Sequence, residues 1–221
     1  MSNRIKNVNS IVEGKFISLY DLEYVNKLNQ DKHWSVVTRK SKENIQDIYL
    51  NGKEDNVDAV AIIAYHVEYK KLVVIKQFRV PVNNYIYEVP AGLVDHGEDI
   101  LETVRRELKE ETGLNLLEIN KKYSKGKTYL SPGMTDESVA LVFCTCDGEI
   151  SRDYLEANED IETILVSQQE AEAILESDEK IDIKAFLMLQ NFVLLGDKMF
   201  VYDKYNYKII KESKRKPLII N

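Results

Sequence analysis

The chain has 221 residues, 44% of them hydrophobic, which is enough for one full-sized core and a smaller appended region. Its formal net charge of −7, from 30 Lys and Arg against 37 Asp and Glu, indicates an acidic surface that repels phosphate backbones, so we expect no nucleic-acid partner. The N-terminus has no apolar signal core, and no run approaches the roughly 18 apolar residues of a membrane span. We therefore expect a cytoplasmic protein that does not bind membranes.

The first 55 residues predict short strands joined by polar turns. Weak alternation over Lys15–Tyr20 and Trp34–Arg39 indicates two strands, and Asn51-Gly52 is a turn signal. This segment is too small and too polar to fold securely alone. We predict that residues 1–55 form a β-rich region that packs on the main domain or on a second subunit.

The main domain is expected over residues 56–197. Its predicted strands are Val57–His66, Lys71–Gln77, Tyr85–Val89, Tyr123–Leu130, Val139–Cys146 and Ile161–Val166. Its predicted helices are Ile100–Thr112, which Gly113 ends, Ser167–Ser177 and Ile183–Leu195. Residues 198–221 form a C-terminal extension to which we assign no role.

The predicted helix Ile100–Thr112 carries an acidic group beside its apolar stripe. Glu107, Glu110 and Glu111 share an arc of roughly 100°, at the i, i+3 and i+4 spacings where like charges destabilise a helix. Three convergent carboxylates are what Mg²⁺ requires of a protein, although an ordinary solvated acidic face has the same composition. The helix alone leaves both interpretations open.

The longer stretch GLVDHGEDILETVRRELKEETGL resembles the Nudix box. The box reads Gly, five residues, Glu, seven residues, then Arg-Glu-aliphatic-any-Glu-Glu-any-Gly-aliphatic. The matching positions here are Gly92, Glu98, Arg106, Glu107, Leu108, Glu110, Glu111, Gly113 and Leu114. Because every defined position matches, the signal is far more specific than a lone GxGxxG. The resemblance implies an α+β Nudix fold: a mixed β-sheet sandwiched between α-helices, preceded by a small β-rich N-terminal region.

The resemblance also implies a role for each residue of the box. Arg106 would hold the catalytic glutamate in place, Glu98 would tie the preceding loop to the helix, and Gly92 would let the backbone pass close to the metals. The ligands on the helix would be Glu107, Glu110 and Glu111. The favoured ion is Mg²⁺, with Mn²⁺ as a possible substitute.

Outside the box, the chain resembles the ADP-ribose pyrophosphatases. Gln77-Phe78-Arg79 and Glu88-Val89-Pro90-Ala91-Gly92 are similar to segments of these enzymes. The resemblance implies that Arg79 binds a substrate phosphate and that Glu88 lies near the substrate. It implies a further metal ligand in the Ala91 carbonyl.

Two later loops add to this resemblance. Ser131–Glu137 is similar to the Ser-Pro-Gly loop of these enzymes and implies Met134 as a substrate contact, although it also reads as a plain Pro-Gly turn. Asn158-Glu159-Asp160-Ile161 resembles the loop that supplies a carboxylate base, although its composition is also that of a simple acidic loop. We choose Glu159 as the base and keep Glu137 as the alternative. The catalytic set implied is Glu107, Glu111, Glu159 and Arg106.

The N-terminal region resembles the same enzymes more weakly. Phe16 and Trp34 are similar to aromatic residues that sandwich adenine, and Arg39 follows Trp34 on the same predicted strand. The resemblance implies a homodimer that exchanges this region, so that these three residues help to build the partner's site. Packing inside the core is the alternative role for Trp34.

The function that the resemblance implies is hydrolysis of the pyrophosphate bond of ADP-ribose to AMP and ribose 5-phosphate. One alternative is a hydrolase of other nucleoside diphosphate sugars, because the box specifies the chemistry and not the leaving group. A non-catalytic nucleotide-binding Nudix module is the other alternative. Such modules usually lose glutamates of the box, and here all are retained.

Overall fold

The computed structural model describes residues 3–157 and 159–200. The strands are β1 (Ile5–Glu13), β2 (Ser18–Val25), β3 (Asp31–Thr38), β4 (Ala59–His66), β5 (Lys71–Arg79), β6 (Asn84–Glu88), β7 (Ala91–Leu93), β8 (Asn115–Ile119), β9 (Lys125–Tyr129), β10 (Ser138–Asp147) and β11 (Ile161–Val166). The α-helices are α1 (Lys42–Asn51), α2 (Ile100–Thr112), α3 (Gln168–Glu176) and α4 (Ile183–Leu195). Asn158 of the late loop and residues 201–221 of the C-terminal extension lie outside the described residues.

The N-terminal region is β-rich, as predicted, and it also contains a helix. Strands β1, β2 and β3 form an antiparallel sheet, and Ile45 of α1 joins the apolar cluster that includes Tyr20 and Val36. The prediction of strands and turns alone was wrong at α1. The Ser41 hydroxyl caps this helix by accepting a hydrogen bond from the Asn44 amide, and Gly52 ends it in the left-handed region at φ 74°.

The larger sheet has eight strands in the order β11-β5-β4-β10-β8, with β6 on β5, β7 on β4 and β9 on β10. Every residue of β4 is buried. Along β4 and β10, the Asp58 amide bonds to the Ser138 carbonyl and the Val67 amide bonds to the Cys146 carbonyl. Residue numbers rise together on both strands, so the two run parallel, whereas β11, β5 and β6 pair antiparallel. The sheet is therefore mixed, as predicted.

The chain forms two compact units. The first comprises the residues up to Ile62, Ala91–Glu107 and Lys121–Val142, and it contains the N-terminal sheet, β7 and β9. The second comprises Ile63–Pro90, Leu108–Asn120 and the residues from Phe143 onward, and it contains β5, β6, β8, β11, α3 and α4. No helix in the described residues is long and apolar enough to cross a membrane.

Helix α2 has the bounds that the sequence predicted. At its start, the Asp99 carboxylate accepts from the Glu102 amide at 2.8 Å and the Glu102 carboxylate accepts from the Asp99 amide at 3.0 Å, which is a reciprocal cap. At its end, Gly113 adopts φ 77°, and a Cβ there would lie 2.4 Å from the Ser151 amide nitrogen. Both the backbone conformation and the close approach of Ser151 therefore require glycine at this position.

Candidate active site

Glu107 lies against the backbone of β7. An ideal Cβ on Gly92 would be 1.8 Å from the Glu107 Cδ, so any side chain at Gly92 would occupy the position of this carboxylate. Glu107 is only 8% exposed. The glycine of the box thus makes room for a buried carboxylate beside the strand that Ala91 begins.

Arg106 joins three parts of the box. Its Nε and Nη2 donate to the two oxygens of Glu98 at 2.9 and 2.8 Å. Its Nη1 donates to Glu107 Oε1 at 2.6 Å, and its Nη2 also donates to the Leu93 carbonyl at 3.0 Å. The guanidinium therefore connects the loop, β7 and the Glu107 carboxylate, and it fixes the direction in which that carboxylate points.

Glu98 anchors the loop before α2 to the helix itself. Besides its paired bonds from Arg106, it accepts a hydrogen bond from the Thr103 hydroxyl at 3.0 Å. The Arg106 hydrogen bond lowers the pKa of Glu98 to about 2, from an ordinary 4.5. The anchor is therefore ionised at neutral pH.

Glu110 and Glu111 follow Glu107 on α2 at i+3 and i+4. Glu111 is 4% exposed, and its backbone carbonyl accepts a hydrogen bond from the Thr163 hydroxyl of β11 at 3.0 Å. Helical spacing and carboxylate chemistry both suit a hard, oxygen-seeking divalent cation. Within residues 3–157 and 159–200, however, no group of three or more His, Cys, Asp or Glu side chains is close enough to bind one metal ion jointly. The assignment of metal ligands therefore rests on the carboxylate chemistry of these residues and on their spacing along α2.

Arg79 ends β5 and forms a two-pronged ion pair with Glu88 at the end of β6. Its Nε lies 2.6 Å from Glu88 Oε1, and its Nη2 lies 2.9 Å from Oε2. Glu88 is 6% exposed, so this partner is buried, whereas 42% of the Arg79 side chain remains exposed. The Glu88 hydrogen bond raises the pKa of Arg79 despite partial burial, and the negative charge of Glu111 raises it further. The guanidinium is fixed in orientation and still accessible to an anion.

The predicted adenine-binding aromatics are both exposed. Phe16 lies in the turn between β1 and β2 and is 72% exposed. Trp34 lies on β3 opposite Leu22 and is 51% exposed, which excludes the alternative of a core position. Sequence patterns could not decide this, because an alternating strand buries one face and exposes the other.

The two candidate bases each have a partner in their own loop or beside it. The Glu159 carboxylate accepts a hydrogen bond from the Glu156 amide at 2.9 Å, which closes a local turn. The Glu137 carboxylate accepts one from Arg39 Nε at 2.9 Å, so Arg39 contacts a residue of its own chain. Met134, in the same loop as Glu137, is exposed, and its carbonyl accepts a hydrogen bond from the Val37 amide at 3.0 Å.

One charged cluster beside this loop was missed by sequence analysis. Lys40 lies within 3.4 Å of carboxylate oxygens on Asp55, Asp58 and Asp136. These residues are separated by as many as 96 positions in the chain, and no spacing rule brings them together.

Comparison with known proteins supports the resemblance to the Nudix box. Residues 55–188 match the NUDIX domain family. The chain is 34% identical over 155 residues to an ADP-ribose pyrophosphatase of Bacillus subtilis, which covers 66% of this chain and 81% of that protein. It is also 31% identical over 168 residues to an ADP-ribose pyrophosphatase of Saccharomyces cerevisiae. That alignment covers 73% of this chain and 68% of the yeast protein.

A solved structure supports the fold. The crystal structure of an ADP compounds hydrolase matches with a TM-score of 0.62 at 15% identity, over 86% of this chain and 93% of that one. At this identity the likeness establishes the architecture, and the family match establishes the class of enzyme. The chain therefore belongs to the Nudix family, as a Nudix hydrolase with the Nudix fold.

Proposed function

We propose that this protein hydrolyses the pyrophosphate bond of ADP-ribose to give AMP and ribose 5-phosphate, using Mg²⁺, for which Mn²⁺ can substitute. The observation that carries the proposal is the arrangement of Gly92, Arg106 and Glu107: a buried carboxylate, aimed by an arginine, in a space that only glycine leaves open. Likeness to two ADP-ribose pyrophosphatases favours ADP-ribose among possible substrates.

In this proposal, residues of the Nudix box and of the segment just before it bind the metal ion. The ligands would be Glu107, Glu110, Glu111 and the Ala91 carbonyl. A divalent cation held there would neutralise pyrophosphate charge and make a nearby water more acidic. Arg106 and Glu98 hold Glu107 in its orientation, and the Thr163 hydroxyl of β11 holds the Glu111 backbone by donating to its carbonyl.

Proton transfer and substrate binding fall to residues outside α2. Glu159 would accept the proton of the attacking water, with Glu137 as the alternative base. Arg79 would bind a phosphate, in an orientation that Glu88 imposes. Adenine would stack on Phe16 and Trp34, with Met134 as a further contact.

We further propose that residues 1–55 mediate a homodimer and that Phe16, Trp34 and Arg39 contribute to the site of the partner. Support comes from the exposure of Phe16 in the turn between β1 and β2 and of Trp34 on β3 of the small N-terminal sheet. Large exposed aromatic side chains are typical of binding surfaces. Arg39 forms its ion pair with Glu137 of its own chain, so that pair does not itself support a role for Arg39 in the partner's site.

The experiment that tests the function is a substrate panel with the metal titrated. ADP-ribose, other nucleoside diphosphate sugars, NADH and dinucleoside polyphosphates are each incubated with the protein at zero to saturating Mg²⁺. The proposal expects the highest kcat/KM for ADP-ribose and no turnover after chelation. Preference for another sugar nucleotide would favour the alternative hydrolase. Binding of ADP-ribose without turnover of any compound would favour a non-catalytic module.

A further inference from the structure

The end of β3 is fastened to the Ser131–Glu137 loop at three successive points. The Val37 amide donates to the Met134 carbonyl at 3.0 Å, and Val37 and Thr135 form an isolated parallel bridge. Arg39 Nε bonds to Glu137 at 2.9 Å, and Lys40 Nζ bonds to Asp136 at 3.0 Å. The backbone bond and the two ion pairs therefore act on the loop that carries Met134 and Glu137.

Lys40 differs from Val37 and Arg39 because its side chain is mostly buried and pairs with several carboxylates. Its side chain is 12% exposed, and its Nζ lies 2.9 Å from Asp58 and 3.4 Å from Asp55, in addition to Asp136. Burial alone would lower the pKa of Lys40, but the hydrogen bonds that it donates to Asp58 and Asp136 raise the pKa above its ordinary value. The ammonium group is therefore charged at neutral pH.

The three carboxylates are not held equally well. Asp58 Oδ2 accepts hydrogen bonds from both the amide and the hydroxyl of Ser138 at 2.8 Å. Asp55 Oδ2 has a second cation, Lys127 Nζ, at 2.7 Å. Asp55 Oδ1 and Asp136 Oδ1 are both buried without a hydrogen bond from any described residue, but among the described residues Lys40 is the only cation paired with Asp136. If Lys40 lost its charge, the three carboxylates would repel one another. Asp136, the carboxylate of the loop, has the fewest other contacts to keep it in place.

We propose that Lys40 is a positioning residue for catalysis: through Asp136 it holds the Ser131–Glu137 loop in the conformation that presents Met134 and Glu137 to the substrate. The effect on substrate binding rests on the proposed function, whereas the hold on the loop rests on the contacts alone. Lys40 does not itself touch the reacting atoms in this account.

The test compares Asp136→Asn, Lys40→Met and the double variant with a matched control, Lys53→Met. Lys53 pairs with Asp47 at 3.3 Å and is 57% exposed, so its removal leaves the loop alone. We expect KM for ADP-ribose to rise about tenfold in each single variant, with a smaller change in kcat. The double variant should be no worse than Lys40→Met, because both substitutions break the same ion pair. Amide hydrogen exchange over residues 131–137 should be faster in all three.

A purely structural role predicts another pattern. The melting temperature would fall, while KM and loop exchange in the folded fraction would stay at wild-type values, and that result would overturn the proposal. If Lys40→Met fails to fold, Asp136→Asn decides, because it leaves Lys40 paired with Asp58 and Asp55. If the wild type does not cleave ADP-ribose, the proposed function fails separately. Loop exchange then still decides whether Lys40 holds the loop: unchanged exchange in both single variants rejects it.

Discussion

Gly92 and Glu107 compete for one space: a Cβ on Gly92 would lie 1.8 Å from Glu107 Cδ and 1.9 Å from its Oε1. Carbon atoms do not approach so closely, so the buried carboxylate and a side chain at position 92 exclude each other. Arg106 Nη1 donates a hydrogen bond to Oε1 of the same carboxylate at 2.6 Å. The glycine of the box is therefore explained by its neighbour 15 residues later in the chain as well as by its own backbone.

Replacing Gly92 with alanine should displace the Glu107 carboxylate and lower kcat by roughly two decades, since a shift of about 1 Å in a catalytic group can have that effect. The control is Gly126→Ala in β9, where the nearest atom to a new Cβ is 4.0 Å away. Steady-state kinetics and circular dichroism on both variants check the prediction. A folded Gly92→Ala protein with wild-type kcat would show that the position of Glu107 does not matter.

Trp34→Ala should raise KM for ADP-ribose roughly ten- to hundredfold, because stacking on an aromatic contributes about 1–3 kcal/mol per base. The change in kcat should be smaller, since adenine is remote from the phosphorus under attack. Half-exposure of Trp34 predicts little change in melting temperature, and Trp34→Phe should retain most of the affinity. Addition of ADP-ribose without metal should quench the fluorescence of this sole tryptophan. An unchanged KM without quenching would remove Trp34 from the site.

The Glu98 anchor should give stability a defined pH dependence. Its folded-state pKa, lowered to about 2 by Arg106, lies below the ordinary 4.5, so ionised Glu98 stabilises the fold above about pH 4.5. This stabilisation is lost as the pH falls from 4.5 towards 2. We expect the melting temperature of Glu98→Gln to lie below that of the wild type at pH 6, and the difference to shrink steadily as the pH falls from 4.5 towards 2. A constant difference across this range would contradict the account.

The dimer proposal can be tested without substrate. Sedimentation at micromolar concentration should give twice the chain mass of 25.6 kDa. A wild-type monomer with full activity would reject the shared site.

Sequence reasoning succeeded where local signals agreed. Helix α2 was predicted from Ile100 to Thr112 because its apolar period ends at a glycine, and the structure has the same bounds. Helix α1 was missed because only Ile45 is buried on it and its other residues are largely polar. Its glycine was recognised as a turn signal, but the chain uses Gly52 to end a helix.

In the site, likewise, residues of one local motif could be nominated from sequence, whereas contacts between distant residues could not. The box residues are close in sequence, so the resemblance to the Nudix box could nominate a role for each of them. The contacts of Arg79 with Glu88, of Arg39 with Glu137 and of Lys40 with its carboxylates arise only when strands are paired. Sequence could nominate Arg79 and Glu88 separately, but it could not show that they bind each other. For Lys40 it offered no signal at all.

Glu111→Gln should lower kcat by roughly two decades or more while KM changes little, since it removes a ligand charge and keeps the shape of the helix. Glu102→Gln is the matched control. Glu102 lies on the first turn of α2, and a glutamine there can still accept the hydrogen bond from the Asp99 amide. Kinetics at saturating Mg²⁺ measure both variants. Near-wild-type turnover of Glu111→Gln would contradict the assignment of metal ligands to α2.

Product analysis in ¹⁸O-labelled water shows whether water cleaves the pyrophosphate of ADP-ribose at this site, as we propose. ADP-ribose is incubated with the protein and Mg²⁺, and the products are identified by mass. The account predicts equal amounts of AMP and ribose 5-phosphate, with one ¹⁸O per turnover on a phosphate group, and a rate that falls with Glu111→Gln. Absence of AMP, or AMP and ribose 5-phosphate formed without label on either phosphate, would contradict it.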